Sequence, residues 1–263
     1  MSGSYPPLPI DPAARAYLGF ERQASAAEMR AVDQAAVRRG VPAELLMENA
    51  GRASAAAVRR WMAAAGRGPE QPVLILAGPG NNGGDGCCVA RTLAQQGYRP
   101  ILLTGFPLGA GVRGAPELAL HRELALEAAS QAPFDVLPLG SGEPQGQGAA
   151  EVLERIEAFL RSETLVVDAL FGTGLSRPIA APFLGLLERL AASAAPILCL
   201  DLPSGLDADD GRLWGPPIRA VGTVSFGAWK RGLRCGEGPR LAGAVEIAEI
   251  GLPLPLIRRL PGL

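Results

Sequence analysis

Histidine, lysine and cysteine are scarce in this sequence of 263 residues, and each scarcity excludes a class of site. A single histidine, His121, argues against a Ser-His-Asp triad and against a metal site built from several histidines. We expect His121 itself to be a surface residue. The four cysteines show no paired spacing, which indicates reduced, buried thiols in a cytoplasmic protein. Any acid/base chemistry must therefore depend on aspartates.

Strong charge and long apolar runs are also missing. The formal net charge is -1 and no basic run occurs, which argues against nucleic acid or an anionic membrane surface as the main partner. No apolar run approaches the roughly 20 residues that a membrane span needs. Residues 1–11 have neither a basic start nor an apolar segment, so we expect no signal peptide.

We predict a flexible tail over 1–22 and a single domain over 23–263, with a hydrophobic content of 48% that suffices for a core.

A glycine-rich stretch, Gly78–Gly86 (GPGNNGGDG), is the most distinctive feature that is present. An apolar run, Val73–Ala77, precedes it, and a helical pattern, Cys87–Gln96, follows it. The next apolar run, Ile101–Leu103, completes a strand, glycine loop, helix and strand. Such a βαβ unit is right-handed by default, and its loop lies at the carboxyl edge of the sheet, where open α/β folds bind ligands.

Two nucleotide-binding motifs almost match this stretch. Gly78-x-Gly80-x-x-Gly83 fits the dinucleotide fingerprint, but the second strand ends in Thr104 and lacks the acidic ribose reader. The P-loop motif fails because no Lys-Ser/Thr pair follows Gly83, and Asp85 would repel a phosphate at the helix N-terminus. The loop instead offers two amides and a carboxylate to a ligand. The alternative is a tight turn in which Asp85 is a simple N-cap.

The remaining helical patterns predict helices over residues 25–40, 43–61, 115–130 and 151–161. The first of them opens with a capping box formed by Ser25 and Glu28. In the second, Glu48-Asn49 stands between apolar neighbours and is either a packing amide or part of a ligand-site wall. Lys230, the only lysine, follows a predicted strand, where chance explains its presence as well as a function does.

Four further apolar runs predict strands: Thr164–Val167, Pro196–Leu200, Val221–Phe226 and Val245–Ile250. They are apolar on both faces, as in a sheet that is covered on both sides. Asp168 and Asp201 each follow one of these runs, so their carboxylates should stand at the same edge as Asp85. One aspartate after a strand is ordinary, but three at a glycine-lined crevice indicate a site.

With these motifs the sequence resembles the NAD(P)H-hydrate epimerases, also called the YjeF N-terminal domain family, over about residues 28–253. The resemblance depends on five segments: Leu46–Gly51, Gly78–Gly86 with Arg91, Asp168–Pro178, Asp201–Asp207 and Phe226–Leu233. It implies a Rossmann-like three-layer α/β/α sandwich with a mostly parallel central sheet. The implied reaction interconverts the R and S forms of hydrated NADH and NADPH, so that a separate dehydratase can restore the S form. Many bacterial relatives carry a fused dehydratase domain, and the length here leads us to expect a stand-alone epimerase.

The resemblance also implies a potassium ion, a small-molecule substrate and a homodimer. It assigns the ion to Asn82, Asp168 and Ser204, whose oxygens suit a hard cation. The loop amides beside Arg177 suit a pyrophosphate. The implied substrate contacts are Asn81, Asn82, Gly83, Gly84, Asp85, Gly172, Thr173, Gly174, Leu175, Ser176, Arg177, Pro178 and Asp201.

Inversion at C6 of the hydrated nicotinamide ring requires C6 to become planar, by loss of water or by ring opening. Either route needs a proton given and returned. If Asp168 holds the ion, Asp201 or Asp85 remains for this task, and we predict Asp201 as the acid/base. The rival hypothesis is a non-catalytic nucleotide-binding or scaffold module of the same fold. Such a module would not need all three carboxylates.

Overall fold

A parallel sheet of seven strands forms the centre of the computed structural model, which describes residues 5–105, 115–132, 134–139 and 147–263. Its strands are β2 (Val73–Ala77), β3 (Pro100–Thr104), β4 (Asp135–Pro138), β5 (Leu165–Ala169), β6 (Ile197–Leu200), β7 (Gly222–Phe226) and β9 (Ala244–Ala248). Their order across the sheet is β4-β3-β2-β5-β6-β7-β9, and every neighbouring pair is parallel. Two short strands, β1 (Gln23–Ala24) and β8 (Trp229–Lys230), pair separately in parallel.

Helices cover both faces of the sheet. They are α1 (Pro12–Ala16), α2 (Ala26–Arg38), α3 (Ala43–Ala64), α4 (Asn81–Gln95), α5 (Pro116–Ala129), α6 (Gln147–Glu157), α7 (Phe183–Ala192), α8 (Gly238–Leu241) and α9 (Leu254–Ile257). Within the described ranges, none of these helices has the length and apolarity needed to cross a membrane.

The central strands are buried on both faces, as their apolar runs predict. In β2, Ile75 points into the core that α3 and α4 cover, whereas Leu74 and Leu76 belong to the opposite core beneath α6 and α7. Alternate residues of a strand point to opposite faces, so one apolar run serves two layers. The predicted three-layer sandwich with a parallel sheet is thereby confirmed.

The start of α2 is fixed by the predicted capping box. The Ser25 hydroxyl accepts the Glu28 amide at 3.1 Å, and the Glu28 carboxylate accepts the Ser25 amide at 2.7 Å. Two amide donors that would otherwise lack partners at the helix start are thus satisfied, which stabilises this end of α2. Because α2 forms one wall of the cleft described below, the capping box also fixes that wall.

The glycine-rich stretch differs from the prediction of a loop up to Gly86. Helix α4 begins at Asn81, Gly80 is its N-cap, and Asp85 lies inside the helix rather than capping it. A Cβ atom at Gly83 would overlap the carbonyl oxygen of Gly78, and one at Gly86 would lie 2.8 Å from the Ala169 side chain. The glycines therefore allow the helix to approach the sheet closely, and this packing overrides their poor helix propensity.

Residues 5–22 differ from the flexible tail predicted over residues 1–22, of which residues 1–4 lie outside the described residues. Residues 5–22 pack against the domain, where Leu8 is 2% exposed and its amide donates to the Val221 carbonyl at 3.1 Å. The Trp61 indole donates to the Pro6 carbonyl at 2.9 Å. The difference arises because Leu8 is buried and because this segment forms hydrogen bonds with residues that are distant in sequence. The local composition predicts neither of these contacts. The treatment of residues 23–263 as a single epimerase domain stays a prediction.

Candidate active site

A cleft of about 1070 Å³ opens at the carboxyl ends of β5, β6 and β7. Helix α2 forms one wall, and the start of α4 and residues 171–177 form others. Asp85, Asp201 and Lys230 are among the residues that line it. The cleft therefore lies at the sheet edge where the sequence predicts a site.

Asp201 follows β6 in an unusual backbone conformation. Its φ of 66° makes it the one non-glycine residue with a positive φ among those that the structure describes. Its Oδ1 forms an ion pair with Nζ of Lys230, which is 2% exposed and also donates to the Phe226 carbonyl at 2.6 Å. Its Oδ2 accepts the Thr173 amide at 3.4 Å. A backbone strained at one point and held by several contacts is typical of functional sites.

Lys230 acquires its role only through the fold. It lies on β8, four residues after Phe226, the last residue of β7. Its side chain contacts Asp201 at the end of β6. A fully buried lysine is rare unless it is paired. The pairing with Asp201 settles the question that the sequence left open: this lysine belongs to the candidate site.

Asp85 reaches the cleft from the second turn of α4. Burial raises the pKa of this carboxyl well above its usual range, and the nearby carboxyls of Asp201 and Asp33 raise it further, while Lys230 lowers it. Burial thus favours the protonated form of Asp85 more than water does. The cleft therefore holds one buried carboxyl group with a raised pKa and a second one, Asp201, that is paired with a lysine.

Asp33 is a third carboxyl group at the cleft, and sequence reasoning missed it. It lies on the cleft-facing side of α2, where burial raises its pKa to about 6, with Lys230 lowering and Asp201 raising the value. An aspartate in the middle of an amphipathic helix is ordinary in sequence. The signal that could have identified Asp33 is its position one turn after Met29, on the same side of the helix. Met29 is buried and also lines the cleft.

Asp168 and Ser204 are brought into direct contact, as the resemblance implies. The Ser204 hydroxyl donates to Asp168 Oδ1 at 2.6 Å, and the Ser204 amide donates to Oδ2 at 2.8 Å. Burial raises the pKa of Asp168, although the hydrogen bonds from Ser204 oppose this shift. Neither residue lines the cleft, but the Ser204 hydroxyl accepts the amide of Phe171, which does, at 2.9 Å. The Asp168–Ser204 pair therefore stabilises the cleft wall at Phe171 without lining the cleft itself.

Asn82 is buried near the carboxyl end of β6. Its side-chain nitrogen donates to the Leu200 carbonyl at 3.2 Å, whereas its Oδ1 is buried without a hydrogen-bond partner among the described residues. A Cβ atom at Gly172 would lie 3.0 Å from Asp201 Oδ2 and 3.4 Å from Asn82 Cγ. Glycine at position 172 thus lets the loop pass close to both side chains. The unpartnered oxygen is therefore an acceptor that a ligand atom could use.

The predicted substrate contacts divide into two groups. Residues 172–177 line the cleft, and so do Asn81, Asn82 and Asp85. Three predicted contacts are absent from its lining: Gly83, Gly84 and Pro178. Gly83 and Gly84 are buried within α4, where their lack of a side chain serves helix packing. Asn81 donates to Glu117 Oε1 at 3.4 Å, so the rim of the cleft also includes α5.

His121 is buried, which contradicts its predicted surface position. It is 2% exposed, its Nε2 lies 3.1 Å from the Glu44 carbonyl oxygen, and its Nδ1 lies 3.6 Å from Glu48 Oε2. Helix α5 packs against α3, and this long-range contact buries a face that local polarity marks as exposed. Glu48, Cys88 and His121 form a group of side chains that could hold a metal ion.

The donors of this group differ from those predicted for potassium. Nitrogen and sulfur ligands suit softer metals, whereas potassium requires oxygen. Glu48 is already paired with Arg52 and Arg91, and burial raises the pKa of the Cys88 thiol to about 12. Both features oppose metal binding here, since the charge of the carboxylate is compensated and the thiol is protonated.

The structure also distinguishes the two interpretations of Glu48-Asn49, a packing amide or part of a ligand-site wall. The Asn49 side chain donates to the Ile250 carbonyl at 3.0 Å, and neither residue is among those that line the cleft. Asn49 ties α3 to the segment after β9. The packing interpretation is therefore the one that the structure supports.

The sequence profile described as "YjeF-related protein N-terminus" matches residues 43–232. The NAD(P)H-hydrate epimerase of Weissella koreensis is 34% identical over 232 residues, which cover 88% of this chain and 92% of that protein. The bifunctional NAD(P)H-hydrate repair enzyme Nnr of Salinibacter ruber is 38% identical over 231 residues. This match covers 87% of the chain, which thus spans only 40% of the length of that bifunctional relative.

A solved structure gives the same result for the fold. The crystal structure of the yeast protein ynu0 (YNL200c) matches with a TM-score of 0.65 and 26% sequence identity, and the match covers 86% of each chain.

Proposed function

Because the chain belongs to the YjeF-related N-terminal family, we propose that it is an NAD(P)H-hydrate epimerase, an isomerase of damaged nicotinamide nucleotides. The observation that carries this proposal is the pair of carboxyl groups in one cleft, Asp201 paired with Lys230 and Asp85 buried with a raised pKa. The alternative of a non-catalytic binding or scaffold module is not favoured. A module without chemistry would have no need for a buried lysine paired at a strained aspartate.

The two carboxyl groups suit the two proton transfers that the reaction requires. Loss of water from C6 needs a proton donor at the hydroxyl, and addition of water to the opposite face needs a base. We assign the first role to Asp85, whose pKa burial raises, and the second to Asp201, which is paired with Lys230. The reverse reaction exchanges these roles, so the pair shares one proton over successive turnovers. Two carboxyl groups in different environments are typical of such acid/base pairs.

Lys230 acts through Asp201 rather than on the substrate. Its ammonium group compensates the charge of the carboxylate and, with the Thr173 amide, holds it in one orientation. A base fixed in this way meets the substrate without reorganising. Lys230 is therefore a positioning residue in this proposal.

A potassium ion fits the residues that the resemblance assigns to it. Asn82 Oδ1 is a buried acceptor without a hydrogen-bond partner in the described part of the chain, and Asp168 and Ser204 offer only oxygen. When bound, the ion would supply a positive charge at these three side chains. We propose Asn82, Asp168 and Ser204 as the residues that hold it.

The epimerase proposal predicts a defined change in a mixture of hydrates. Incubation of pure R hydrate with the protein and potassium should bring the R/S ratio to equilibrium faster than the spontaneous rate, with no consumption of ATP or ADP. Chromatographic separation of the two forms over time measures this. An R/S ratio that changes no faster than in the absence of folded protein would contradict the enzyme proposal and favour the binding module.

The ion proposal predicts a stability effect that is specific for potassium. Asp168→Asn removes a charge but keeps the shape of the side chain, so it should abolish any gain in unfolding temperature on exchanging sodium for potassium at constant ionic strength. For the unchanged protein, potassium at 100 times its Kd should add about 2.7 kcal/mol. Glu48→Gln, in the separate cluster, is the matched control and should keep the potassium response. Equal stability of the unchanged protein in both salts would exclude a potassium site.

The cellular location and the oligomeric state are parts of the same proposal. We propose a cytoplasmic location, which is supported by Cys87, Cys88 and Cys199 being free and buried. The homodimer that the resemblance implies stays a prediction, which sedimentation analysis would test.

A further inference from the structure

Helix α2 presents a continuous face to the cleft. The residues of this face recur one turn apart and are Met29, Arg30, Asp33, Gln34, Val37 and Arg38. Residues at i and i+4 lie above one another on a helix, so Arg30 and Arg38 stand on the same side, two turns apart. The rise of a helix separates their backbones by about 12 Å. Two arginines thus line one wall of the proposed substrate cleft.

Neither arginine has a hydrogen bond or an ion pair among the described residues. Other arginines near carboxylates are paired, for example Arg60 with Glu246 at 2.6 Å and Arg231 with Glu28 at 2.8 Å. Arg30 and Arg38 are instead exposed at the cleft wall. Their guanidinium groups are therefore available to a ligand.

The positively charged side chains of the cleft differ in their partners. Asp85 and Asp201 are buried and interact with Lys230, and so does Asp33, which is partly buried on α2. Arg177 lines the cleft and, like the two α2 arginines, has no ion pair in the described part of the chain. The charge of the lysine is therefore compensated by carboxyl groups, whereas the three arginines carry positive charge without an ion-pair partner in this part of the chain.

We propose that Arg30 and Arg38 bind a phosphate group of the substrate. This inference rests on the proposed epimerase function and names how the nucleotide is held. A guanidinium group donates two parallel hydrogen bonds to a phosphate and stays charged at every physiological pH. The phosphate is either the 5′-diphosphate that both hydrates share or the 2′-phosphate of the NADPH form. In the second case, α2 determines a preference for hydrated NADPH.

Two nucleotides that differ only in the 2′-phosphate distinguish these two phosphate groups. NAD+ carries the diphosphate alone, whereas NADP+ carries the same diphosphate and a 2′-phosphate. Calorimetric titration of the full chain should show that Arg30→Gln and Arg38→Gln weaken binding by about tenfold each, the usual scale for a charge-assisted hydrogen bond. A loss confined to NADP+ identifies the 2′-phosphate, and an equal loss for both nucleotides identifies the diphosphate.

Arg39→Gln is the matched control. Arg39 is the neighbouring residue at the end of the same helix, is exposed, and is absent from the lining of the cleft. The inference is overturned if the variants of Arg30 and Arg38 bind both nucleotides as tightly as Arg39→Gln does. It is also overturned if the unchanged protein binds neither nucleotide. Intact nucleotide binding without any epimerase activity would instead remove the proposed reaction and leave this phosphate site in place.

Discussion

Asp201→Asn is expected to lower the rate of R-to-S interconversion by about 100-fold or more, while a nicotinamide nucleotide still binds within a few-fold. The amide cannot accept a proton, and its one oxygen can replace either the oxygen that pairs with Lys230 or the one that accepts the Thr173 amide, but not both. Asparagine tolerates the left-handed backbone at φ 66° better than other non-glycine residues do. The substitution therefore keeps the size and backbone of the residue while it removes proton transfer. Single-turnover rates and nucleotide titration measure the two effects separately.

The buried lysine requires a control for stability. Asp201→Asn leaves the charge of Lys230 without its partner, and breaking a buried ion pair costs about 3–5 kcal/mol. The double variant Asp201→Asn with Lys230→Met removes that charge and should recover much of the free energy of unfolding without recovering the rate. If the double variant regains both, the role of Asp201 is structural.

Asp85→Asn, measured in parallel, assigns the roles within the pair. Our assignment predicts that both variants lose rate, because each removes one of the two proton-carrying groups. Near-normal turnover of Asp201→Asn beside an inactive Asp85→Asn would move the acid/base role to Asp85. If both variants lose nucleotide binding together with rate, the carboxyl groups position the substrate and neither is the catalyst.

Gly83→Ala is expected to destabilise the protein by about 3 kcal/mol or more. An alanine side chain would overlap the backbone carbonyl oxygen of Gly78, which cannot move without distorting the turn before α4. In an unobstructed helix the same change would stabilise by roughly 1 kcal/mol, so the sign of the effect tests the packing. Denaturant unfolding of purified protein measures the free energy.

Gly80→Ala is the matched control for this change. A Cβ atom at Gly80 would meet nothing within 4 Å, and the residue has an ordinary extended backbone as the N-cap of α4. We expect an effect of about 1 kcal/mol or less, the scale of exchanging an N-cap residue. If Gly83→Ala proves as stable as Gly80→Ala, then α4 does not pack against Gly78 as closely as described.

The strands and their polar ends could be predicted from the sequence because their signals are local. Apolar runs such as Val73–Ala77 are hydrophobic on both faces, which is sufficient to indicate a buried parallel strand. Parallel strands place their carboxyl ends at one edge, so Asp201 could be assigned to that edge from chain position alone, whereas Asp168 lies within β5 and does not line the cleft. The capping box of Ser25 and Glu28 likewise lies within four consecutive residues.

Only the tertiary structure decided which side chains meet and which are buried. Lys230 reaches Asp201 from a separate short strand, and Asp33 reaches the cleft from a helix that precedes the sheet, so neither pairing leaves a periodic signal. His121 is buried by the packing of α5 on α3, and Gly83 is helical because its missing side chain lets α4 approach the sheet. Local patterns report hydrophobicity and period, which determine the strands and helices. The energies of long-range packing and charge pairing exist only once the chain has brought distant residues together, so they determined the contents of the cleft.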